Sequence, residues 1–149
     1  KNLKTMGMSL KPCTVFTTGK ESFEIADDEV EIGLGIHGEP GTHREKMATA
    51  NEFTEKLFEK VYAESNVQKG DRFAVLVNGL GETTLIELFI INNHLQDLLK
   101  DKGVEVAKTL VGNYMTSLDM GGFSITLLKL DKEMEELLNA EEDTIAFWF

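Results

Sequence analysis

The continuous apolar run Phe73–Val77 constrains the fold more than any other feature of this chain. A short uninterrupted run bounded by turn residues marks a strand in the buried centre of a sheet. Asn78-Gly-Leu-Gly81 breaks the run, and Thr84-x-x-Glu87 then sets up a capping box for a helix. That helix is expected to carry Leu88, Ile91, Leu95 and Leu98 and to stop at Gly103, a suitable C′ residue. A central strand feeding an amphipathic helix places the chain among folds that layer helices on a sheet.

The remaining segments extend this pattern. Ser22–Ile25 alternates and predicts a short strand, Asp27–Glu29 an acidic turn, and Val30–Ile36 a second strand thinned by Gly33 and Gly35. His37-Gly-Glu-Pro-Gly41 must be a loop, because proline and glycines punctuate it. From Glu45 to about Tyr62, Met47, Ala50, Phe53, Leu57, Phe58 and Val61 recur at helical spacing. Gln68–Arg72 reads as a turn, Val104–Tyr114 and Ser124–Leu130 as strands, and Asp131 to Leu138 as a short acidic helix. The aromatic tail Phe147-Trp148-Phe149 is expected to pack against something, such as a domain absent from this chain. The interleaving predicts an α/β (α+β) class, a two-layer domain with a mixed β-sheet and helices on one face.

Composition narrows the ligand. The 149 residues make one ordinary domain, and 42% hydrophobic against 28% charged residues is a globular balance. The net charge of −11, from 26 acidic and 15 basic side chains, repels nucleic acid and anionic lipid, and no basic cluster overrides it. The ligand is expected to be small and uncharged, or delivered by another protein. No run reaches the roughly 18–20 apolar residues of a membrane span, and the first residues do not form a signal peptide. One cysteine, Cys13, cannot make an internal disulfide, which fits a reducing, cytoplasmic setting. The chain opens on Lys1 rather than methionine and is expected to be a fragment of something longer.

The densest chemical signal is Glu31-Ile-Gly-Leu-Gly-Ile-His-Gly-Glu-Pro-Gly41. It sets the imidazole of His37 at the mouth of a strand, among glycines that admit a ligand close to the backbone. Glu39 is positioned to orient the ring or raise its basicity. A neutral imidazole can add to the carbonyl carbon of a small ketone. The bland alternative, a loop histidine with no task, stays open on spacing alone. A zinc reading of His37, Glu39 and His43 lacks the downstream Pro-Cys-x-x-Cys that a deaminase site needs, so no metal ligand is assigned. Asn78-Gly-Leu-Gly81 lacks a full phosphate-binding glycine pattern, and Glu82 would oppose an anion, so a packing turn is the better reading. Asp119 lies in a polar turn that capping explains as well as function does. His94 lies in the polar row of its helix and is expected to be solvated, and His43 to lie at the surface. No serine has a Gly-x-Ser-x-Gly context.

These residues are more than generic. Glu31–Gly41, Asn78-Gly-Leu-Gly81 with Glu87-Leu88, Gly112–Lys129 and the opening Met6-Gly-Met-Ser-Leu-Lys-Pro-Cys-Thr14 together resemble the substrate-binding (K) subunit of dihydroxyacetone kinases, in order and over nearly the whole chain. The resemblance implies that residues 1–149 are the C-terminal domain of a K module, with the N-terminal half absent. It implies that dihydroxyacetone is held as a hemiaminal on His37, with Gly38 and Glu39 beside it. Tethering would orient the ketone for phosphoryl transfer to dihydroxyacetone phosphate.

No cofactor is expected on this chain. The resemblance places ADP or ATP with Mg on a partner L subunit, recharged in one form by a phosphoenolpyruvate-dependent phosphocarrier (M) subunit. The lack of an L domain before the chain stops favours that form, and the family's K subunits are dimers. The family's acid/base Asp and His lie in the N-terminal half, so this chain alone is expected to lack kinase activity. Glu82-Thr83 and Phe16 depart from the family pattern, which has smaller residues and often proline there. A non-catalytic dihydroxyacetone-binding co-regulator of transcription would keep His37 as well, and an unrelated α/β binding module is the third alternative.

Overall fold

A computed structural model describes residues 2–35 and 39–141. The chain runs β1 (Leu3–Lys11), β2 (Thr14–Val15), β3 (Lys20–Glu21), β4 (Glu29–Ile32), β5 (His43–Lys46), α1 (Ala50–Glu64), β6 (Arg72–Gly79), α2 (Leu85–Asp101), β7 (Glu105–Gly112), β8 (Gly121–Leu130) and α3 (Lys132–Leu138). Six strands form one mixed sheet in the order β5-β4-β1-β8-β6-β7, and β2 and β3 make a separate ribbon. Among the described strands only β6 and β7 pair in parallel, joined by the crossover helix α2.

The register divides the sheet into two unlike faces. Met8 pairs with Phe123, and Ile125 and Leu127 pair with Val77 and Val75, so these side chains share one face. All six are at most 3% exposed, packed under Phe53, Leu57 and Phe58 of α1 and Leu88, Ile91 and Leu95 of α2. On the opposite face the rows are Leu3, Leu128 and Ala74, then Thr5, Thr126 and Leu76, then Gly7, Ser124 and Asn78. Among the described residues no long helix covers them. The expected α/β class, with a mixed sheet and helices on one face, is what is found.

Several boundaries differ from the expectation. Ser22–Ile25 is not a strand; the local ribbon is β2–β3. The strand expected over Val30–Ile36 ends at Ile32, because Gly33 turns the chain at φ +80°. The expected helix from Glu45 begins only at Ala50, where Thr49 and Glu52 form a capping box: Glu52 N–H donates to Thr49 Oγ1 at 3.3 Å and Thr49 N–H to Glu52 Oε2 at 2.8 Å. His43–Lys46 is instead the edge strand β5, whose run of charged side chains suits a position that must not recruit another strand. β1, central in the sheet, had no strand assigned to it. The tail 142–149 lies outside the described residues.

α2 starts as expected: Glu87 Oε2 accepts from the Thr84 N–H at 2.8 Å and from its hydroxyl at 2.7 Å. Those bonds hold the Glu87 carboxyl below the usual Glu range, as the Thr49 bonds do for Glu52. No helix among the described residues is long and apolar enough to cross a membrane.

Candidate functional site

The uncovered face forms an open groove of about 540 Å³, large enough for far more than a three-carbon ligand. Its floor is Thr5, Gly7, Leu76, Asn78, Ser124 and Thr126, and Gly33, Leu34, Gly35, Glu39 and Thr42 wall one side. Gly35 and Glu39 bracket the histidine of the glycine-rich motif. His37 and Gly38 themselves lie outside the described residues. What is described is how the loop around them is held.

Three devices fix its stem. The Thr42 N–H donates to the Ile32 carbonyl at 2.7 Å, and its hydroxyl donates to the same oxygen at 3.1 Å. The Gly35 N–H donates to the Glu39 carbonyl at 3.2 Å. Glu31, only 7% exposed, accepts from the Gly41 N–H at 2.6 Å, with Arg44 Nε 3.6 Å from its other oxygen. A charged acceptor on a backbone N–H is among the stronger hydrogen bonds a loop can have. The glycines are there for space. A Cβ at Gly35 would fall 2.3 Å from Glu39 Oε2, and one at Gly41 would fall 2.5 Å from Glu31 Cγ. The Glu39 carboxylate therefore folds back over Gly35, at the groove. Its expected contact with the His37 ring lies outside the described residues.

The other candidates separate clearly. His43 lies exposed on β5, with Nδ1 2.9 Å from Thr42 Oγ1 and Nε2 2.7 Å from Glu45 Oε1. Glu45 is held below the usual Glu range by Lys56 first and His43 second. His94 is not simply solvated: its Nε2 lies 2.8 Å from Glu55 Oε1, tying α2 to α1. Asp119 accepts from the Thr14 N–H at 2.7 Å, which lowers its pKa and moors the β2–β3 ribbon. The Asn78–Gly81 turn spends its backbone on packing: Leu80 N–H donates to the Gly122 carbonyl at 3.1 Å, and Leu80 O accepts from the Ser117 N–H at 2.8 Å. Among the described residues no group of three or more His, Cys, Asp or Glu could hold a metal ion.

Two residues of this site escaped the sequence reading in their roles. Glu31 was a carboxylate in the buried alternation Val30-Glu31-Ile32, which is a signal that it has a partner. Asn78 was a polar residue ending an apolar run; its Oδ1 accepts from the N–H groups of Tyr114 and Met115, and its Nδ2 donates to the Met115 carbonyl.

With the geometry in hand, comparison with known proteins decides the family. The Dak1 domain model matches residues 1–146. The chain belongs to the Dak1 domain family. Over 147 residues it is 48% identical to the dihydroxyacetone-binding subunit of a PTS-dependent dihydroxyacetone kinase from Listeria innocua, covering 98% of this chain and 45% of that protein. Among solved structures it resembles a dihydroxyacetone kinase operon co-activator, with TM-score 0.86 and 39% identity over 93% of this chain and 43% of that one. It also resembles the dihydroxyacetone kinase of C. freundii in complex with AMP-PNP and Mg2+, with TM-score 0.79 and 28% identity over 99% of this chain and 27% of that one. This Dak1 chain thus spans less than half the length of the relatives it matches.

Proposed function

We propose that this chain is the ketone-trapping part of a dihydroxyacetone-binding kinase subunit, the C-terminal domain of a K module. Its ligand would be dihydroxyacetone, bound as a hemiaminal on His37. In that step the Nε2 lone pair adds to the carbonyl carbon, a C–N bond forms and the C=O π bond breaks. The Nδ1 proton is lost as the carbonyl oxygen gains one, so the change is neutral in electrons and protons. Selectivity follows from the chemistry, since glycerol has no carbonyl to trap. The carrying observation is the groove itself, whose walls Gly35 and Glu39 bracket the family's histidine motif.

The rest of the reaction falls to partners. A nucleotide-bearing L subunit, with ADP or ATP and Mg, would deliver the phosphoryl group and be recharged by a phosphocarrier, a reading supported by the relatives named as PTS-dependent. The family's homodimer and a cytoplasmic location are part of the same proposal. Alone, the chain should not transfer phosphate, because the acid/base residues belong to the other half of the module. A second reading has a specific observation behind it: the co-activator structure superposes at TM-score 0.86 against 0.79 for the kinase. In that reading the chain binds dihydroxyacetone as a signal and catalyses nothing.

Soaking crystals with dihydroxyacetone tests the common part. Continuous density from His37 Nε2 to a three-carbon ligand, lost in His37→Ala, is the expected result. A bare imidazole at saturating ketone would sink the assignment for this chain. Phosphoryl transfer by this chain joined to a K-module N-terminal half, with an L subunit, then separates kinase from sensor.

A further inference from the structure

α2 carries two apolar stripes where a two-layer fold uses one. Leu88, Ile91, Leu95 and Leu99 are buried in the core between the helices and the sheet. Around the helix from them, Leu85 is 53% exposed, Ile86 71%, Phe89 55% and Ile90 52%, all within its first six residues. The outward row continues with the exposed Asn93, Asp97 and Asp101, so the bare apolar surface stops after Ile90. Beside Ile90 this surface opens into an apolar pocket of about 180 Å³, on the helix side of the sheet and away from the groove. The base of the pocket is Phe53, Ile91 and Phe123, and its rim is Met47, Ala50 and Ile90. Its two polar members are already bonded: Thr83 Oγ1 donates to the Gly122 carbonyl at 2.7 Å, and Glu87 is held by Thr84 in the capping box. The pocket thus has no polar group in need of a partner, and an apolar cavity of about 150 Å³ is enough to hold a benzene ring.

An exposed phenyl ring and an apolar socket sized for one therefore sit on the same surface. A partner of another kind would need only one of the two. A surface that carries both is complementary to a copy of itself, as a two-fold contact requires. Charge points the same way. Copies of net charge −11 repel each other except where no carboxylate is left bare, and the only charged side chain from Leu85 to Asn93 is the capped Glu87. Met47, Leu85, Ile86, Phe89 and Ile90 leave on the order of 500 Å² of apolar surface open, so two copies would cover about 1,000 Å², the lower bound for a specific interface. We infer that this face of α2 joins two copies of the chain about a two-fold axis, with Phe89 of each copy seated in the Met47–Ile90 pocket of the other. The inference does not use the ketone trap; it gives the proposed homodimer a surface.

Sedimentation equilibrium of the whole chain is the test. The expected result is a dimer whose dissociation constant rises about thirtyfold in Phe89→Ala, the scale of losing a central aromatic anchor. Ala50→Leu is the sharper variant. It fills the socket while adding apolar surface, so a seated Phe89 requires weaker association, whereas a merely sticky patch would associate more strongly. Both positions are exposed, so the fold should be kept, and an unchanged circular dichroism spectrum checks this. Should either variant fail to fold, Ile86→Lys decides, since a lysine at this 71% exposed position suits a monomer and opposes its copy across the axis. A dimer indifferent to these substitutions would overturn this surface and leave a homodimer joined elsewhere. A chain that stays monomeric would overturn it too. If α2 then became protected from hydrogen exchange on adding a K-module N-terminal half, that half and not a second copy would be the occupant. None of these outcomes bears on the adduct at His37, so the ketone trap stands or falls separately.

Discussion

The two faces of the central sheet carry nearly the same kind of backbone but opposite fates. On one face Met8, Phe123, Ile125, Leu127, Val75 and Val77 are sealed beneath two helices. On the other, residues one position along the same strands, among them Thr5, Ser124, Thr126 and Leu76, floor an open groove. Period-two alternation makes this division possible, and only the helix face has the apolar partners to become dry. The groove side is polar enough to face a ligand yet apolar enough at Leu3, Leu76 and Leu128 to accept a covering layer. That fits the parallel pair β6–β7, since parallel strands are ordinarily covered on both sides. Stability thus resides on one face, and the other is left open as a groove.

The largest effect should come from the sealed face. Leu95→Ala, at a fully buried side chain, should cost about 2–5 kcal/mol in urea unfolding. Leu76→Ala on the half-covered groove floor should cost about 1 kcal/mol, in line with partial burial. Equal losses would break the comparison and mean that a second copy or a partner covers the groove in solution. Next comes the loop stem. Glu31→Ala removes the charged acceptor of the Gly41 N–H and should cost about 1.5–3 kcal/mol, while also weakening ketone adduct formation. A stability loss with unchanged adduct affinity would detach Glu31 from the site.

The smallest effect concerns pH. Glu87 and Glu52 have folded pKa values lowered chiefly by their bonds to Thr84 and Thr49. Their contribution is therefore complete above the ordinary Glu value of about 4.3 and is lost as pH falls through the lowered folded values. Acid titration of stability should show this shallow loss, and Thr84→Ala should flatten part of it, at a neutral-pH cost of about 1 kcal/mol. A profile unchanged by Thr84→Ala would show that the exposed cap contributes little.

Much of this was legible locally. The run Phe73–Val77, the Thr84-x-x-Glu87 box and the alternation of Ser124–Leu130 named β6, α2 and β8 because each signal is complete within a few residues. The start of α1 was legible too, in Thr49-x-x-Glu52, but the helical spacing of Met47 pulled the boundary five residues early. Met47 is instead 46% exposed ahead of the helix. β1 carries its alternation in Met6, Met8 and Leu10, muted by Lys4 and Gly7, and those residues served only as a family likeness. The glycine-rich loop announced itself by composition, whereas the clamps on its surroundings did not, because Glu31 and Asn78 find their partners 10 and up to 37 residues away.

The sequence by itself determined which segments could be strands and helices, that the class would mix them, and that His37 falls among closely spaced glycines. It did so because periodicity, caps and turn residues act over a few positions. Tertiary structure alone decided that the first strand lies between the fourth and the eighth, that one sheet face would be sealed and the other left open, and that Asn78 would hold Met115 over the groove. Those outcomes depend on contacts between residues far apart in the chain, whose pairing is chosen by the joint burial of many side chains rather than by any one segment.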